Sequence, residues 1–206
     1  MNAFYEAPFS LFLIIVNVLI AVIVMTKDRS LVGRMAFIPS RIKNQGEYYR
    51  VITGGFVHAG GAHLALNMIT LYFFGPGLEY RLGSVAFLIV YFGAELAAHG
   101  LTYYRHHTDD AYSAVGASGS ISGVLFGYCL FYPFQTLLLF GIVPIPAWLF
   151  AIGFVVFSVY AMREKKEGAG GRIAHDAHLG GAIGGMLLTI LLEPSALATF
   201  LNQIGL

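Results

Sequence analysis

Four residues in this chain have the types and the places for acyl-transfer chemistry. Ser118 lies in Gly116-Ala117-Ser118-Gly119, between a polar loop and an apolar run. A free hydroxyl is a weak nucleophile at neutral pH and needs an adjacent base. His178 opens the run His178-Leu179-Gly180-Gly181 and is the candidate base. The reaction also needs donors aimed at the developing oxyanion. The Ser118 backbone N–H, at a helix N-terminus, is one. His63 and Asn67 stand four apart, on one helix face, and are the side-chain candidates. Asp176 is two residues from His178, so a helix directs it elsewhere, and a Ser–His dyad is expected rather than a triad.

Other polar residues compete for these roles. Ser122 also precedes a glycine, but it lies a full turn deeper than Ser118. Glu95 and His99 are four apart and are read as a pair satisfying each other, with a proton relay as the alternative. His175 and His178 are three apart, and His58 and His63 are five apart, a poor helical spacing without a thiolate cluster. No metal site and no cofactor are expected. The one cysteine, Cys129, sits in an apolar run and is read as packing.

The elements that must hold these groups are membrane helices. The 206-residue chain is 57% hydrophobic and only 11% charged, against about 25% charged in soluble domains. A formal net charge of +1 points to no nucleic-acid partner. Six apolar segments, about 9–25, 62–78, 85–104, 118–131, 136–160 and 177–192, are expected to form one helical membrane domain over 1–206. Pro144 and Pro146 interrupt the fifth. The first is read as a retained span and not a leader, because no basic residue precedes it and no small-residue cleavage pattern follows.

Loop composition is uneven. In the first loop, about 26–61, Leu31-Val32 and Met35-Ala36-Phe37-Ile38 alternate with Arg29, Arg34 and Arg41, which suits the membrane interface. Tyr48-Tyr49-Arg50 has the same character. The fifth loop, 163–174, mixes charges with glycines and is a candidate lid. The fourth segment has only 14 residues, roughly 21 Å of helix against about 30 Å of hydrocarbon. Ser118 is therefore expected below the surface, facing a hydrated pocket. Gly119, Gly123 and Gly127 recur every four residues, as do Gly181 and Gly185, and Gly180 and Gly184. Such faces let helices approach closely, so segments four and six are expected to touch.

These blocks, in this order, resemble the rhomboid intramembrane serine proteases. The resemblance rests on His58-x4-His63-x3-Asn67, Gly75-Pro76-Gly77-Leu78-Glu79 with Arg81-Leu82-Gly83, Gly116-Ala117-Ser118-Gly119 and Ala177-His178-Leu179-Gly180-Gly181. It implies a six-helix bundle with a long interfacial first loop. It also implies Ser118 as nucleophile, His178 as base, and His63, Asn67 and the Ser118 amide as the oxyanion hole. Gly116, Gly119, Gly181 and His58 fall in supporting places within those blocks. Segment five and the fifth loop would gate access. The implied substrates are single-pass membrane proteins, cut within the lipid bilayer without metal or cofactor. Two positions depart from the family pattern: Ser122 replaces an aromatic residue, and Tyr49-Arg50 stands where Trp-Arg is common.

Topology pulls in two directions. Lys27, Arg29, Arg34, Arg41, Lys43, Arg50, Arg105, Arg163, Lys165, Lys166 and Arg172 fall in odd-numbered loops, and Arg81 on the other side. The positive-inside rule makes the odd loops cytoplasmic. The resemblance instead puts them, with the active site, on the extracytoplasmic face of the cell membrane, and that orientation is the one expected. The leading function is an intramembrane serine endopeptidase. The alternatives are a catalytically silent relative that binds membrane helices, and a small-solute or proton transporter resting on Glu95 and the histidines.

Overall fold

The computed structural model describes residues 6–139, 142–153, 156 and 175–206. Helix α1 is Pro8–Thr26. The first loop folds into short helices α2, Ser30–Met35, α3, Pro39–Gln45, and α4, Arg50–Thr53, then a 3-10 turn, Gly54–Phe56. Helices α5, Gly61–Leu82, α6, Ser84–His106, and α7, Ser118–Phe131, follow. A two-stranded ribbon pairs β1, Thr136–Leu139, with β2, Val143–Pro146. Helices α8, His175–Leu192, and α9, Ser195–Ile204, end the chain.

The protein is mainly helical. Among the described residues, α1 and α6 are long and apolar enough to cross a membrane, and α8 with α9, bent by 107°, pass together. The 22-residue α5 is long enough but carries Asn67, Gly75, Pro76, Gly77 and Glu79, which lower its hydropathy. The 14-residue α7 is too short to span. Its lower end is instead closed by α9. Gln203 Nε2 donates to the Phe131 carbonyl at 3.0 Å, and Arg81 stacks over Phe131 and Tyr132. Both satisfy the orphan carbonyl end of a helix, one by hydrogen bonding and one by charge.

Segment five does not begin as a helix at 136. Residues 136–139 and 143–146 pair antiparallel, with Leu138 opposite Pro144 and Thr136 opposite Pro146. Proline lacks an N–H and clashes with the preceding turn, so Pro144 and Pro146 hold this stretch out of a helix. Residues 147–153 are helical, directly after Pro146, where proline's fixed φ suits a helix start. The remainder of segment five and the fifth loop, including the candidate lid, lie outside the described residues.

Two buried carboxylates join the helices. Glu79 of α5, fully buried, accepts from Ser10 N at 2.8 Å, Ser10 Oγ at 2.8 Å, Phe9 N at 3.0 Å and Ser84 Oγ at 2.8 Å. It thereby caps the start of α1, which has no side-chain cap of its own. Glu95 of α6 does the same for α7, as described below. The core between them is apolar, with Leu13, Leu71, Leu78, Phe87, Val90 and Val124 fully or almost fully buried.

Of the pair Tyr49-Arg50, the tyrosine is exposed and the arginine turns inward. Arg50 is 1% exposed. Its guanidinium donates to Glu47 Oε2 at 2.5 Å and to the carbonyls of Gly33 at 3.0 Å and Ala36 at 2.7 Å. A rigid fork of N–H donors serves two carbonyls and a carboxylate at once, so this arginine ties the first loop together from inside.

Candidate active site

Helix α7 packs against α8 along a glycine seam, running in the same direction. A Cβ on Gly181 would meet the Gly119 backbone, 2.7 Å from its carbonyl carbon, and one on Gly185 would meet Gly123. The second glycine face of α8 turns to α6: a Cβ on Gly180 would lie 2.9 Å from the Ala97 oxygen and 3.0 Å from Ala98 Cα. Each contact is backbone against backbone, which only the smallest residues permit. Ser118 opens α7 and His178 lies in the first turn of α8, so this seam puts both at the same end of the pair. Both are partly exposed.

The turn before Ser118 is fixed from the first loop. Ala114 and Phe37 exchange backbone hydrogen bonds at 2.9 and 3.0 Å, and Gly116 N donates to the Gly54 carbonyl at 2.9 Å. Gly116 has φ +109°, a conformation that favours glycine. It also leaves room for two side chains of α5. A Cβ there would lie 2.5 Å from His63 Cε1, 2.9 Å from His63 Nε2 and 3.4 Å from Asn67 Nδ2. His63 and Asn67 therefore stand against the residue two places before Ser118.

Asn67 is buried, and its Nδ2 has no hydrogen-bond partner among the described residues. A buried amide donor left open is costly and calls for a reason. His58 is also buried, 2% exposed, and packs edge-on against His63 with ring centroids 5.3 Å apart. Burial, with the His63 ring beside it, pushes the His58 imidazole down to about 4, so it is neutral at pH 7.

The rival groups are otherwise engaged. Ser122 Oγ donates to the Ser118 carbonyl at 2.7 Å, a helix back-bond that occupies its proton. Asp176 lies 2.9 Å from Arg105 Nε and 2.6 Å from His106 Nε2. It thus joins the start of α8 to the end of α6, with charges suited to both helix dipoles. Among the described residues, no group of three or more His, Cys, Asp or Glu could hold a metal ion.

Glu95 and His99 do approach each other, at 3.3 Å. The sequence reading missed the rest of their setting. Glu95 Oε2 accepts both the N–H and the hydroxyl of Ser120, each at 2.9 Å. His99 Nδ1 lies 2.8 Å from the Val51 carbonyl, and its ring stacks on Phe37 at 3.9 Å. The signal available in the sequence was a carboxylate inside a spanning helix; its partner 25 residues on was not visible.

The chain is similar to known proteins over most of its length. The Rhomboid domain family model matches residues 45–195. YdcA of Bacillus subtilis (strain 168), a rhomboid-family protein, is 35% identical over 152 residues, 71% of this chain and 68% of YdcA. Rhomboid protease GluP of the same organism is 30% identical over 141 residues, 68% of this chain and 25% of GluP. Rhomboid protease AarA of Providencia stuartii is 27% identical over 164 residues, 70% of this chain and 56% of AarA. The chain therefore spans a quarter of GluP and little more than half of AarA.

Proposed function

The chain belongs to the rhomboid family, and on that footing we propose that it is an intramembrane serine endopeptidase working through Ser118 and His178. Ser118 Oγ attacks the scissile carbonyl carbon while His178 takes the hydroxyl proton. The carbonyl oxygen becomes an oxyanion held by the Ser118 N–H, Asn67 Nδ2 and His63. His178 then gives its proton to the leaving nitrogen, and the C–N bond breaks. Water attacks the remaining ester, with His178 accepting its proton; His178 then passes that proton to Ser118 Oγ as the acyl C–O bond breaks, which frees Ser118 and the new carboxyl terminus.

The observation that carries this reading is the open Asn67 amide, buried beside Gly116 at the turn that leads into Ser118. A structural asparagine in lipid would be expected to use its donor. An oxyanion-hole donor waits for charge that exists only during the reaction.

The full assembly in this proposal has six spanning helices, and the substrate is a single-pass membrane protein cut in the bilayer. The site faces the extracytoplasmic side of the cell membrane, and no cofactor takes part. The silent helix-binding alternative keeps the fold without turnover. Labelling of the purified protein with a fluorescent fluorophosphonate separates the two. Labelling in wild type and Ser122→Ala, lost in Ser118→Ala and His178→Ala, is the expected result. Folded wild type that stays unlabelled in detergent and in bilayers would remove the protease reading in favour of helix binding.

A further inference from the structure

The N-terminal turn of α7 is held by a carboxylate that the proposed chemistry does not use. Glu95 is 5% exposed, on α6, and takes both donors of Ser120, the third residue of α7. Helix α7 has no side-chain cap of its own. One of its first amides, that of Ser120, therefore depends on a group from another helix, as the amides of Phe9 and Ser10 in α1 depend on Glu79. The parallel is close: Ser10 is the third residue of α1 and gives its N–H and hydroxyl to one Glu79 oxygen.

The surroundings are shaped around the Glu95 carboxylate. A Cβ on Gly55, in the 3-10 turn of the first loop, would lie 2.8 Å from Oε1. A Cβ on Gly119, the residue after Ser118, would lie 2.9 Å from Oε2. Oε1 faces His99 Nε2 at 3.3 Å. A carbonyl only accepts, so the contact with Val51 requires a hydrogen on His99 Nδ1. The carboxylate is thus braced through His99 to the first loop, and directly to the turn bearing Ser118.

We infer that Glu95 is a positioning residue, which holds the α7 N-terminal turn so that Ser118 Oγ and its own N–H keep the geometry needed for attack. This rests on the protease reading above. A misplacement of about 1 Å can cost on the order of 100-fold in rate. Glu95→Ala would leave the Ser120 N–H and hydroxyl and the His99 edge without Glu95, inside the protein. Glu95→Gln keeps the shape. Its amide oxygen can take both Ser120 donors, and its amide nitrogen can donate to His99 Nε2.

The test combines fluorophosphonate labelling rates with hydrogen exchange of the Ser118, Gly119 and Ser120 amides, in wild type, Glu95→Ala and Glu95→Gln. Expected are labelling slowed about tenfold or more in Glu95→Ala, faster exchange confined to that turn, and recovery of both in Glu95→Gln. With a cleavable membrane substrate the loss should fall on kcat and spare KM. Wild-type labelling rates in folded Glu95→Ala would overturn the positioning role while leaving the protease reading in place. Equal loss in the Gln and Ala variants, with exchange raised throughout the protein, would also overturn it, in favour of general stabilisation. Unlabelled wild type would remove the protease reading and the catalytic purpose with it.

Discussion

Gly181 packs on the backbone of Gly119, so that a single Cβ at Gly181 would press into the Gly119 carbonyl group. Gly119 follows Ser118 directly, and Gly181 stands one helical turn after the first turn's Ala177, beside His178. The spacing between two helix backbones therefore sets the spacing between the proposed nucleophile and base.

Gly181→Val should separate these helices. Nothing flexible lies opposite, because the facing atoms are backbone. Overpacking of this kind typically costs about 1–3 kcal/mol. Fluorophosphonate labelling should fall by about 100-fold or more, and unfolding in a detergent titration should come earlier. A stable variant that labels at the wild-type rate would sink the seam as a determinant of the site.

Asn67→Ala removes the open donor without touching Ser118 or His178. Loss of one oxyanion donor costs about 10²–10³ in kcat. Steady-state cleavage of a membrane substrate should show that loss with KM little changed. Near-normal kcat would take Asn67 out of the oxyanion hole.

Glu79→Ala should act on stability. It leaves the N–H groups of Phe9 and Ser10 and the hydroxyls of Ser10 and Ser84 without their acceptor. Each buried group stripped of its partner costs roughly 1–3 kcal/mol before relaxation. The melting temperature in detergent should drop by several degrees or more, and Glu79→Gln should recover part of it. An unchanged melting temperature in Glu79→Ala would show that α1 is held by apolar packing alone.

His58 makes stability depend on pH. Its folded-state value, about 4, lies below the ordinary imidazole value of 6.5. Between these values the unfolded chain binds the proton and the folded protein does not, so stability rises with pH across that window. The contribution is present above about 6.5 and lost as pH falls through about 4. Melting temperatures measured from pH 7 to pH 4 should decline less steeply in His58→Gln than in wild type. Identical slopes would mean that His58 is accommodated as a cation.

The class of fold and one helix contact were legible in the residues themselves. Composition and apolar runs select a membrane helical protein, and four-residue glycine spacing foretells a close helix seam. These are signals within one helix, where period and neighbour are set by local geometry. The helix starting at 118 was equally readable, because its polar loop and its proline at 133 bound it.

Only the tertiary structure decided what each buried polar group meets. A carboxylate in a spanning helix must find donors, but which donors depends on how neighbouring helices are rotated and how close they come. Glu95 reaches Ser120 because Gly55 and Gly119 leave room for it. Arg50 turns inward because the carbonyls of Gly33 and Ala36 converge on it. The ribbon at 136–146 likewise needed a surface: Leu137 and Ile145 pack with Leu125, Phe126 and Cys129 of α7. Residue type names what a side chain requires; the packing of distant segments determines where that requirement is met.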